Sequence, residues 1–385
     1  MRGRRCGQRG RARDPGADRA RWGRAGLDER GQGLIREPGP GTGDPVACLW
    51  AISNGVDLTD AQAEALFAGI MDGGVPPILI GALLAALRTK GETVDELTGA
   101  ARAMRARATR VVTHRSPLVD TCGTGGDASG TFNVSTAAAF VVAAAGIAVA
   151  KHGNRAASSR CGSADVLEAL GVVIDLPAER VGRILDRTGI GFLFAPAFHP
   201  AMRHAVEARR ALGIRTLFNL LGPLTNPAGA RRQVIGVPAR GTVGPVAEAL
   251  RQLGTEHAVV VHGLDGLDEI SVSGPTLVAT VGREEVDLSE IRPADLGLGE
   301  FPLAALAGGD PTDCARILRD ILGGRGTDAQ AAVVAANAGA GIFVGGGAPS
   351  LAAGVTRARD LLATGAAADL LDHMIEASRA EAPLE

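Results

Sequence analysis

Four polar segments of the 385-residue chain combine residue types that suit phosphate and metal chemistry. The first, DTCGTGGDASGTFNVST at residues 120–136, is a glycine-rich turn between a strand-like run and a helix-like run. Glycines let the backbone approach an oxyanion closely, and a helix N-terminus presents free N–H groups to it. The segment fits neither the dinucleotide-binding nor the P-loop pattern, so it predicts another kind of anion site, or a plain tight turn if taken alone.

The second segment, KHGNRAASSRCGSAD at residues 151–165, is dense in hydrogen-bond donors and follows an apolar strand-like run. Ligands of open α/β sheets bind at the carboxyl ends of strands, so we expect this segment to lie beside the glycine-rich turn. Cations and hydroxyls there suit a polyphosphate. The alternatives are a solvated polar loop for the segment and a structural role for His152.

The third segment, HGLDGLDEIS at residues 262–271, places Asp265, Asp268 and Glu269 after a further strand-like run. Hard carboxylate oxygens are the ligands that Mg²⁺ prefers, and Mg²⁺ commonly binds together with substrate phosphates. The segment therefore indicates a magnesium site next to the two anion-binding loops. An acidic turn is the alternative when the segment is taken alone.

The fourth segment, residues 208–227, interleaves Arg209, Arg210 and Arg215 with apolar residues and ends in the rigid turn GPLTNP. An arginine that faces the cleft could pair with a substrate carboxylate through two parallel hydrogen bonds. Surface arginines are the simpler interpretation without further support.

Strand-like and helix-like runs, which must position these segments, alternate from about residue 117. Strand-like runs separated by helix and turn signals predict an α/β domain with a central, mostly parallel sheet flanked by helices. The runs are PLVDT, IAVAKHG, VVIDL, GFLFA, RQVIGVP and HAVVVHG. We expect helices from Ser135 and over SADVLEALG, the latter capped by Ser163 and ended by Gly171, and Ala-rich helices near 312–322, 327–340, 350–363 and 367–379.

An all-helical pattern precedes the α/β pattern, and we assign residues 46–115 to a small helical domain of three helices. Capping boxes are expected at Thr59 and Thr93, and Pro76-Pro77 and Gly91 should begin and end the helix between them. Helices from about 200–220 are expected to join this domain, and 116–385 forms the larger domain. The apolar faces exceed the needs of one small bundle, which predicts a homodimer interface.

Composition limits the classes of function. Lys+Arg is 40 and Asp+Glu is 42, a net charge of −2 that argues against general polyanion binding. Residues 1–45 are rich in Arg and Gly and are expected to be a disordered tail, either solvated, or wrongly included upstream of the true start, or a basic arm for nucleic acid. We expect no membrane span, and an odd number of cysteines without a CxxC pair favours the cytoplasm.

Taken together, GTGGD, NVST, KHGNR, GSADVLEALG, FNLLGPLTNP and DGLDE resemble the anthranilate phosphoribosyltransferase family in order and separation, over about residues 48–385. The resemblance implies transfer of the phosphoribosyl group of 5-phosphoribosyl 1-pyrophosphate (PRPP) to the amino group of anthranilate, with Mg²⁺, in tryptophan biosynthesis. It also implies a homodimer, and an anthranilate synthase component is a candidate partner.

The resemblance assigns roles residue by residue, with no covalent nucleophile. It places magnesium on Ser135, Asp268 and Glu269, and anthranilate near Gly123, His152, Asn154, Arg209, Gly222 and Pro223, with Arg209 as partner of the carboxylate. The residues implied for PRPP are Gly123, Gly126, Asp127, Thr131, Asn133, Val134, Ser135, Thr136, Lys151, His152, Gly153, Asn154, Arg155, Ala156, Ala157, Ser158, Ser159 and Ser163.

The departures from the family pattern are few. Cys161 stands where the family more often has Ser, Cys314 where Asn is common, and Ala156-Ala157 where Ser or Ala followed by Val is usual. A hydroxyl donor is therefore absent from the phosphate loop at position 161. Two rival functions remain: a pyrimidine nucleoside phosphorylase-like enzyme, and a nucleic-acid-binding relative without transferase activity. Paired carboxylates and an acidic body argue against both.

Overall fold

The protein combines a helical bundle with a seven-stranded sheet that carries helices on both faces. The structure is a computed structural model that describes residues 43–156 and 159–382. The strands are β1 (Leu118–Thr121), β2 (Ala148–Gly153), β3 (Ile190–Phe194), β4 (Arg232–Gly236), β5 (His257–Gly263), β6 (Thr276–Val281) and β7 (Val286–Ile291).

The α-helices of the described residues fall into two groups. Those of the bundle are α1 (Pro45–Ser53), α2 (Asp60–Met71), α3 (Pro77–Lys90), α4 (Val94–Arg107), α9 (Arg203–Leu212) and α10 (Phe218–Leu224). Those around the sheet are α5 (Val134–Ala144), α6 (Ser163–Ala169), α7 (Ala178–Thr188), α8 (Ala195–Phe198), α11 (Arg240–Gln252), α12 (Pro311–Leu322), α13 (Asp328–Val344), α14 (Leu351–Thr364) and α15 (Ala366–Ala380).

The strand order β3-β2-β1-β4-β5-β6-β7 places β1 at the centre of five parallel strands. The predicted α/β class is therefore confirmed. Because β1, β2 and β5 run in the same direction, the segments that follow them leave the sheet at the same edge. The hairpin of β6 and β7, which extends the sheet with antiparallel pairing, was not predicted.

The bundle is held together by close helix contact and by one buried acid. A Cβ at Gly99 of α4 would overlap the carbonyl oxygen of Asp60, so only glycine allows α2 and α4 to approach this closely. The fully buried Glu96 accepts from Leu58 N at 3.1 Å and pairs with Lys90 Nζ at 3.1 Å. These two contacts supply the partners that a buried carboxylate requires.

Several predicted helix boundaries are confirmed. Thr59 and Thr93 form capping boxes with Gln62 and Glu96, and Gly91 ends α3. The Ala-rich helices of the last third also lie where they were expected.

One predicted cap is wrong, and one predicted helix start is displaced by a residue. Helix α5 begins at Val134, with Asn133 as its N-cap, one residue before the predicted start at Ser135. Gly162 is the N-cap of α6, because the hydroxyl of Ser163 instead exchanges hydrogen bonds with the backbone of Asn154. A serine was the stronger capping signal in the sequence, but its side chain is used by the neighbouring loop.

Two further predictions of elements are wrong. The run VVIDL at residues 172–176 pairs with no strand of the described residues; Val172, Ile174 and Leu176 instead bury their side chains from an extended connection. The helical segment 46–115 contains four helices rather than three, since α1 precedes the first capping box.

The described chain begins shortly before the first helix. Residues 1–42 of the predicted tail lie outside the described residues, and Pro45 already begins α1. Within the described ranges, no helix combines the length and apolar character needed to cross a bilayer.

Candidate active site

The glycine-rich turn after β1 contacts the acidic segment after β5 directly. Gly125 N donates to Asp268 Oδ2 at 2.8 Å, and Thr124 N donates to the carbonyl of Gly236 at the end of β4 at 2.9 Å. A Cβ at Gly123 would lie 2.9 Å from Asp268 Oδ2. Glycine at position 123 therefore keeps the carboxylate and the turn in contact.

Arg215, from the loop between α9 and α10, reaches the same turn. Its guanidinium donates to the carbonyl of Gly125 at 2.7 Å, and a Cβ at Gly126 would overlap it. Gly126 also has a φ of +81°, a left-handed conformation that favours glycine. Two independent constraints thus select glycine at position 126, and they bring a cation next to the turn.

The N-terminus of α5 contacts both the acidic segment and β2. Ser135 N donates to Glu269 Oε1 at 3.1 Å, so the free N–H groups of the helix already face a carboxylate. Lys151 Nζ donates to the carbonyl of Thr121 at 2.6 Å and lies 3.4 Å from Ser135 Oγ. Lys151 is buried, so its charge acts with little screening by water.

Negative charge exceeds positive charge in the centre of this cleft. Burial raises the pKa of Asp268 to about 7, and the nearby charge of Asp127 adds to the shift. Burial, and secondarily the charge of Asp268, raises the pKa of Glu269 well above its usual value, although Lys151 opposes the change. Such a group of hard oxygen donors fits Mg²⁺, which would relieve the repulsion between them.

Several buried polar atoms around the cleft have no hydrogen-bond partner among the described residues. They are Thr124 Oγ1, Asn133 Oδ1, Thr136 Oγ1 and a terminal nitrogen of Arg215. Buried polar groups are almost always paired, so these atoms mark the surface that a polar ligand would complete. Asn133 and Thr136 belong to the predicted PRPP set, whereas Thr124 and Arg215 do not.

The loop after β2 is held by its own contacts. Ser163 Oγ lies 3.2 Å from the backbone N and O of Asn154, and Ala156 N donates to Asp165 Oδ2 at 2.9 Å. Arg155 pairs with Asp165 at 3.1 Å and Glu168 at 2.7 Å, so its guanidinium is committed to these acids.

Of the remaining residues of the predicted phosphate loop, the structure describes Ser159 and Cys161. Ser159 is exposed, and Ala157 and Ser158 lie outside the described residues. Cys161 is linked to the cleft through its carbonyl oxygen, which accepts from Asn133 Nδ2 at 3.1 Å. The loss of a hydroxyl at position 161 therefore leaves this backbone contact in place.

The glycine-rich turn is closed on its far side by the segment before α12. Thr131 forms an isolated antiparallel bridge with Ala307, and Phe132 N donates to the carbonyl of Leu306 at 3.1 Å. The side chain of Val134, the first residue of α5, is buried in the core. Gly153 ends β2, and its Cβ would overlap Ser163 Oγ. These predicted PRPP residues contribute backbone placement rather than exposed side chains.

His152 connects the cleft to the bundle. Its Nδ1 lies 3.1 Å from the carbonyl oxygen of Gly222 in α10, and its ring lies 5.1 Å from that of His199. Burial lowers the pKa of His152 to about 3 and that of His199 to about 4, so both rings are neutral at pH 7. Pro223 is buried beside Gly222, and its carbonyl accepts from Gln233 Nε2 at 2.7 Å.

Asp120, Cys122 and His152 place possible ligand atoms within 4.8 Å of one another. Asp120 already accepts from Asn226 Nδ2 at 2.8 Å and from His152 N at 3.1 Å. Its pKa is raised to about 6 by burial, and the Cys122 thiol stays protonated because burial raises its pKa too. We interpret the three residues as structural support for β1 and β2.

Arg209 lies on α9, with its guanidinium carbon 5.4 Å from the centre of the Phe218 ring. It is half-buried, its side chain makes no hydrogen bond to the described residues, and burial lowers its pKa. A partly desolvated guanidinium of this kind is suited to a carboxylate. Arg210, the next residue, is exposed.

The structure therefore brings the predicted residues together in two connected groups. Hydrogen bonds link the glycine-rich turn, the start of α5, Lys151, Asp268 and Glu269. The second group, Gly222 and Pro223 of α10, is joined through His152. Sequence reasoning named Arg215 only as one of three candidate arginines, without assigning it to the glycine-rich turn, and gave no role to Asp120. The pairing of Asp120 with Asn226 has no signal in the local sequence of either residue.

Comparisons with known proteins agree with this architecture. Residues 115–368 match the model of the glycosyl transferase family, a/b domain, and residues 48–108 match that of the helical bundle domain of the same family. The chain is 56% identical over 327 residues to the anthranilate phosphoribosyltransferase of Rubrobacter xylanophilus, covering 84% of this chain and 95% of that protein. It is 50% identical over 340 residues to that of Halorhodospira halophila, covering 87% and 98%.

Solved structures show the same relationship. The crystal structure of anthranilate phosphoribosyltransferase from Thermus thermophilus has a TM-score of 0.82 and 47% identity, and the match covers 86% of this chain and 99% of that one. The Saccharomyces cerevisiae enzyme in complex with PRPP and Mg has a TM-score of 0.77 and 27% identity, with 87% and 98% covered. The chain belongs to the anthranilate phosphoribosyltransferase family, which confirms the resemblance seen in the sequence.

Proposed function

We propose that the chain transfers the phosphoribosyl group of PRPP to the amino group of anthranilate, giving N-(5-phosphoribosyl)anthranilate and pyrophosphate in tryptophan biosynthesis. The observation that carries the proposal is the direct contact of the glycine-rich turn and the start of α5 with Asp268 and Glu269. Anion-binding backbone and a carboxylate pair in one cleft suit a pyrophosphate bound with a divalent cation. The names of the relatives favour this function over the two rivals.

The predicted PRPP residues would bind the phosphate groups and neutralise the charge of the leaving pyrophosphate. N–H groups of the turn and of α5 would bind phosphate oxygens, and Lys151 would neutralise charge that develops on the departing pyrophosphate. Asp268, Glu269 and Ser135 would hold Mg²⁺, which supplies further neutralisation of the leaving group. The relative from S. cerevisiae that contains PRPP and Mg supports this assignment.

The nucleophile is the amine of anthranilate, which is neutral at pH 7 and needs no covalent help from the protein. The residues of the second group would hold it in line with C1 of the ribose, so most of the help is orientation. Arg209 would pair with the carboxylate of anthranilate, and His152, Asn154, Gly123, Gly222 and Pro223 would line its route. A structure of the S. cerevisiae relative in complex with 4-fluoroanthranilate supports an aromatic subsite.

The direct test mixes the purified chain with anthranilate, PRPP and Mg²⁺ and follows the loss of anthranilate. We expect turnover that depends on all three components. Phosphorolysis of thymidine or uridine without anthranilate turnover would favour the phosphorylase alternative. Deletion of residues 1–40 should leave turnover unchanged; DNA binding that needs those residues, in a chain without turnover, would favour the nucleic-acid-binding alternative.

A homodimer through the bundle is part of the proposal. Ile78 of α3 is 85% exposed, and Val46 and Trp50 of α1 are exposed large apolar residues as well. Helices α1 and α3 pack against each other, so these side chains are suited to a shared apolar face. Ile78→Asp should convert a dimer to monomer in analytical ultracentrifugation, whereas Leu288→Asp on the exposed face of β7 should not.

The cellular setting belongs to the proposal as well. The free thiols of Cys48, Cys122, Cys161 and Cys314 fit the reducing cytoplasm. An anthranilate synthase component is a candidate partner; co-sedimentation of the two purified proteins would test it.

A further inference from the structure

A second cavity lies at the opposite edge of the sheet from the candidate active site. Its volume is about 560 Å³, and it is lined by residues that precede β1, β4 and β5. Because these strands are parallel, their amino ends lie at the edge away from the glycine-rich turn. The cavity is therefore separate from the cleft formed by Asp268, Glu269 and Lys151.

The lining of this cavity is strongly basic. Among the described residues it contains five arginines and one acid, Glu256. Glu256 is shared, since it lies 3.3 Å from Arg232 Nε and 3.5 Å from a terminal nitrogen of Arg231. Arg283, from the turn between β6 and β7, approaches it as well, at 3.7 Å. One carboxylate thus faces three guanidinium groups and cannot balance the charge of the cavity.

Arg105, at the end of α4, is half-buried in the wall of the cavity. Its guanidinium donates to the carbonyls of Leu224 at 2.6 Å and Leu253 at 3.2 Å, and no carboxylate of the described residues pairs with it. Burial lowers its pKa to about 10, and the charges of Arg102 and Arg231 act in the same direction. Arg105 therefore stays charged at pH 7. Its hydrogen-bond partners in the described part of the chain are two carbonyls, so its partly desolvated charge has no opposite charge beside it.

The other two arginines are available at the mouth of the cavity. Arg110 is exposed, and no hydrogen bond or ion pair of its side chain is formed within the described residues. Arg115 donates to the backbone carbonyl of Asp186 at 2.7 Å, and the carboxylate of Asp186 accepts from Thr113 and His114 N. Arg110, and the terminal nitrogen of Arg115 that is not bonded to Asp186, keep N–H groups that an oxyanion could use.

We propose that this cavity binds a small organic oxyanion, a carboxylate or a phosphate ester, on Arg105, Arg110 and Arg231. Val111, Pro117 and Pro227 form an apolar part of the wall that would contact its carbon skeleton. The volume lies within the range of small-molecule sites. Neither the proposed transfer reaction nor the residues assigned to it require such a site.

Because of the position of the cavity, a bound ligand would stabilise the connection between the bundle and the sheet. Its walls include most of residues 108–117 and all of residues 226–232, which are two of the segments that connect the bundle with the sheet. A ligand that bridges the two segments would stabilise their native arrangement. Binding to the native state alone raises the unfolding temperature, so occupancy can be followed by thermal unfolding.

The test titrates the full chain with inorganic phosphate and, separately, with citrate, and measures Kd by calorimetry and Tm by thermal unfolding. The variant is Arg110→Ala with Arg231→Ala, both exposed and outside the catalytic cleft. The control is Arg316→Ala, at an exposed position of α12. Since one charge-assisted hydrogen bond is worth about a factor of ten, we expect at least a tenfold weaker Kd in the double variant and wild-type binding in the control.

The two probes separate the two sources of the ligand. A loss confined to phosphate assigns the site to a phosphate ester, and a loss confined to citrate assigns it to a carboxylate. Wild-type Kd in the double variant for both probes overturns the proposal, as does a wild-type chain that binds neither. Phosphate binding that is lost in Lys151→Met but kept in the double variant places the anion in the active site and also overturns it. Transferase turnover is measured in parallel, so that failure of the proposed function is recognised separately.

Discussion

The two edges of the parallel sheet carry unbalanced charge of opposite sign. At the carboxyl ends of the strands, Asp268 and Glu269 are buried with Asp127 nearby. Lys151 opposes the charge of Glu269, and Arg215 opposes that of Asp268. At the amino ends, Arg231, Arg232 and Arg283 share Glu256, and Arg105 has no carboxylate partner among the described residues. Unbalanced charge inside a protein destabilises it, so each edge favours a ligand of the opposite charge, as proposed above for the two sites.

The difference between the edges lies in how the unbalanced groups are held. The acids of the carboxyl edge are fixed by backbone N–H groups of a turn and of a helix terminus, which sets their positions closely. The arginines of the amino edge are held by backbone carbonyls or lie exposed at the mouth of a cavity. Rigid placement suits catalysis, and adaptable placement suits binding, because catalysis depends on close geometric alignment.

The largest expected effect would come from removing the charge of the acids. Asp268→Asn with Glu269→Gln should lower kcat by about a thousandfold or more, since the loss of charge-stabilising groups commonly costs ~10² to 10³ each. The same variant should unfold at a higher temperature than wild type at pH 7 when Mg²⁺ is absent. The raised pKa values of both acids mean that ionisation favours the unfolded state at this pH, and the amides remove that cost. Steady-state kinetics and calorimetry without metal measure the two effects.

The matched control for the acids is Glu290→Gln on the exposed strand β7, which should change neither quantity. Full turnover by the double variant at limiting Mg²⁺ would remove both acids from the mechanism. A lower unfolding temperature without metal would show that these charges are already balanced inside the protein, and the comparison between the two edges would fail.

The second largest effect is expected at Lys151, the buried cation of the carboxyl edge. Lys151→Met should lower kcat/KM for PRPP by about a hundredfold, because the group that would neutralise charge on the pyrophosphate is lost. Lys90→Met in the bundle is the contrasting change, since it removes the partner of Glu96 and should reduce stability without changing the KM for PRPP. Equal kinetic effects of the two variants would show that Lys151 acts only through stability.

A smaller effect is expected at Arg209. Arg209→Ala should raise the KM for anthranilate about tenfold with little change in the KM for PRPP, as expected for loss of one charge-assisted contact. Arg210→Ala, at the exposed neighbouring position, is the control. A rise confined to the KM for PRPP would reassign Arg209 to the phosphate side of the cleft.

The smallest effect concerns the pH dependence of stability. The pKa values of His152 and His199 are lowered in the folded state, to about 3 and about 4, from an unfolded value near 6.5. Their stabilising contribution is therefore complete above pH 6.5 and is lost as pH falls toward those lower values. Each histidine should cost about 1 kcal/mol of unfolding free energy between pH 6.5 and 5.5.

A variant separates this histidine effect from that of the buried acids Asp120, Asp268 and Glu269. Their raised pKa values make the protein more stable, not less, as the pH falls. Between pH 6.5 and 5.5, the unfolding free energy of His199→Gln, measured by urea unfolding, should fall by about 1 kcal/mol less than that of wild type. His373→Gln, at an exposed position of α15, should behave as wild type. The same loss in wild type and His199→Gln would show that His199 is not buried as a neutral ring.

The sequence predicted most of the local structure because its signals are local. The capping boxes at Thr59 and Thr93 and the Ala-rich helices after residue 311 follow from side chains within a few positions of the boundary. The run VVIDL shows the limit. Its alternate apolar residues are buried, but it forms no β-sheet hydrogen bonds with a strand in the part of the chain that the structure describes. Burial can be predicted from composition, whereas pairing depends on distant segments.

The site shows the same limit. The motifs identified Lys151, Asp268 and Glu269 because lysine and carboxylates after buried strands are unusual. Arg215 could not be separated from Arg209 or Arg210, since all three lie in one basic stretch and only its contact with Gly125, 90 positions earlier, distinguishes it. The support of His152 by Asp120 and Asn226 likewise depends on residues 106 positions apart.

The helical bundle is assembled from parts of the chain that are far apart in sequence. Helices α9 and α10 share one apolar core with α1 to α4, yet the strands β1 to β3 are synthesised between the two groups. The same core also includes residues of α11 and of β4 to β6, up to Val281. On the ribosome, the first four helices must therefore wait until residue 281 has emerged before their core can close. During that interval Leu66, Phe67 and Leu84 lack part of their native covering, so we expect this stage of synthesis to depend most on chaperones.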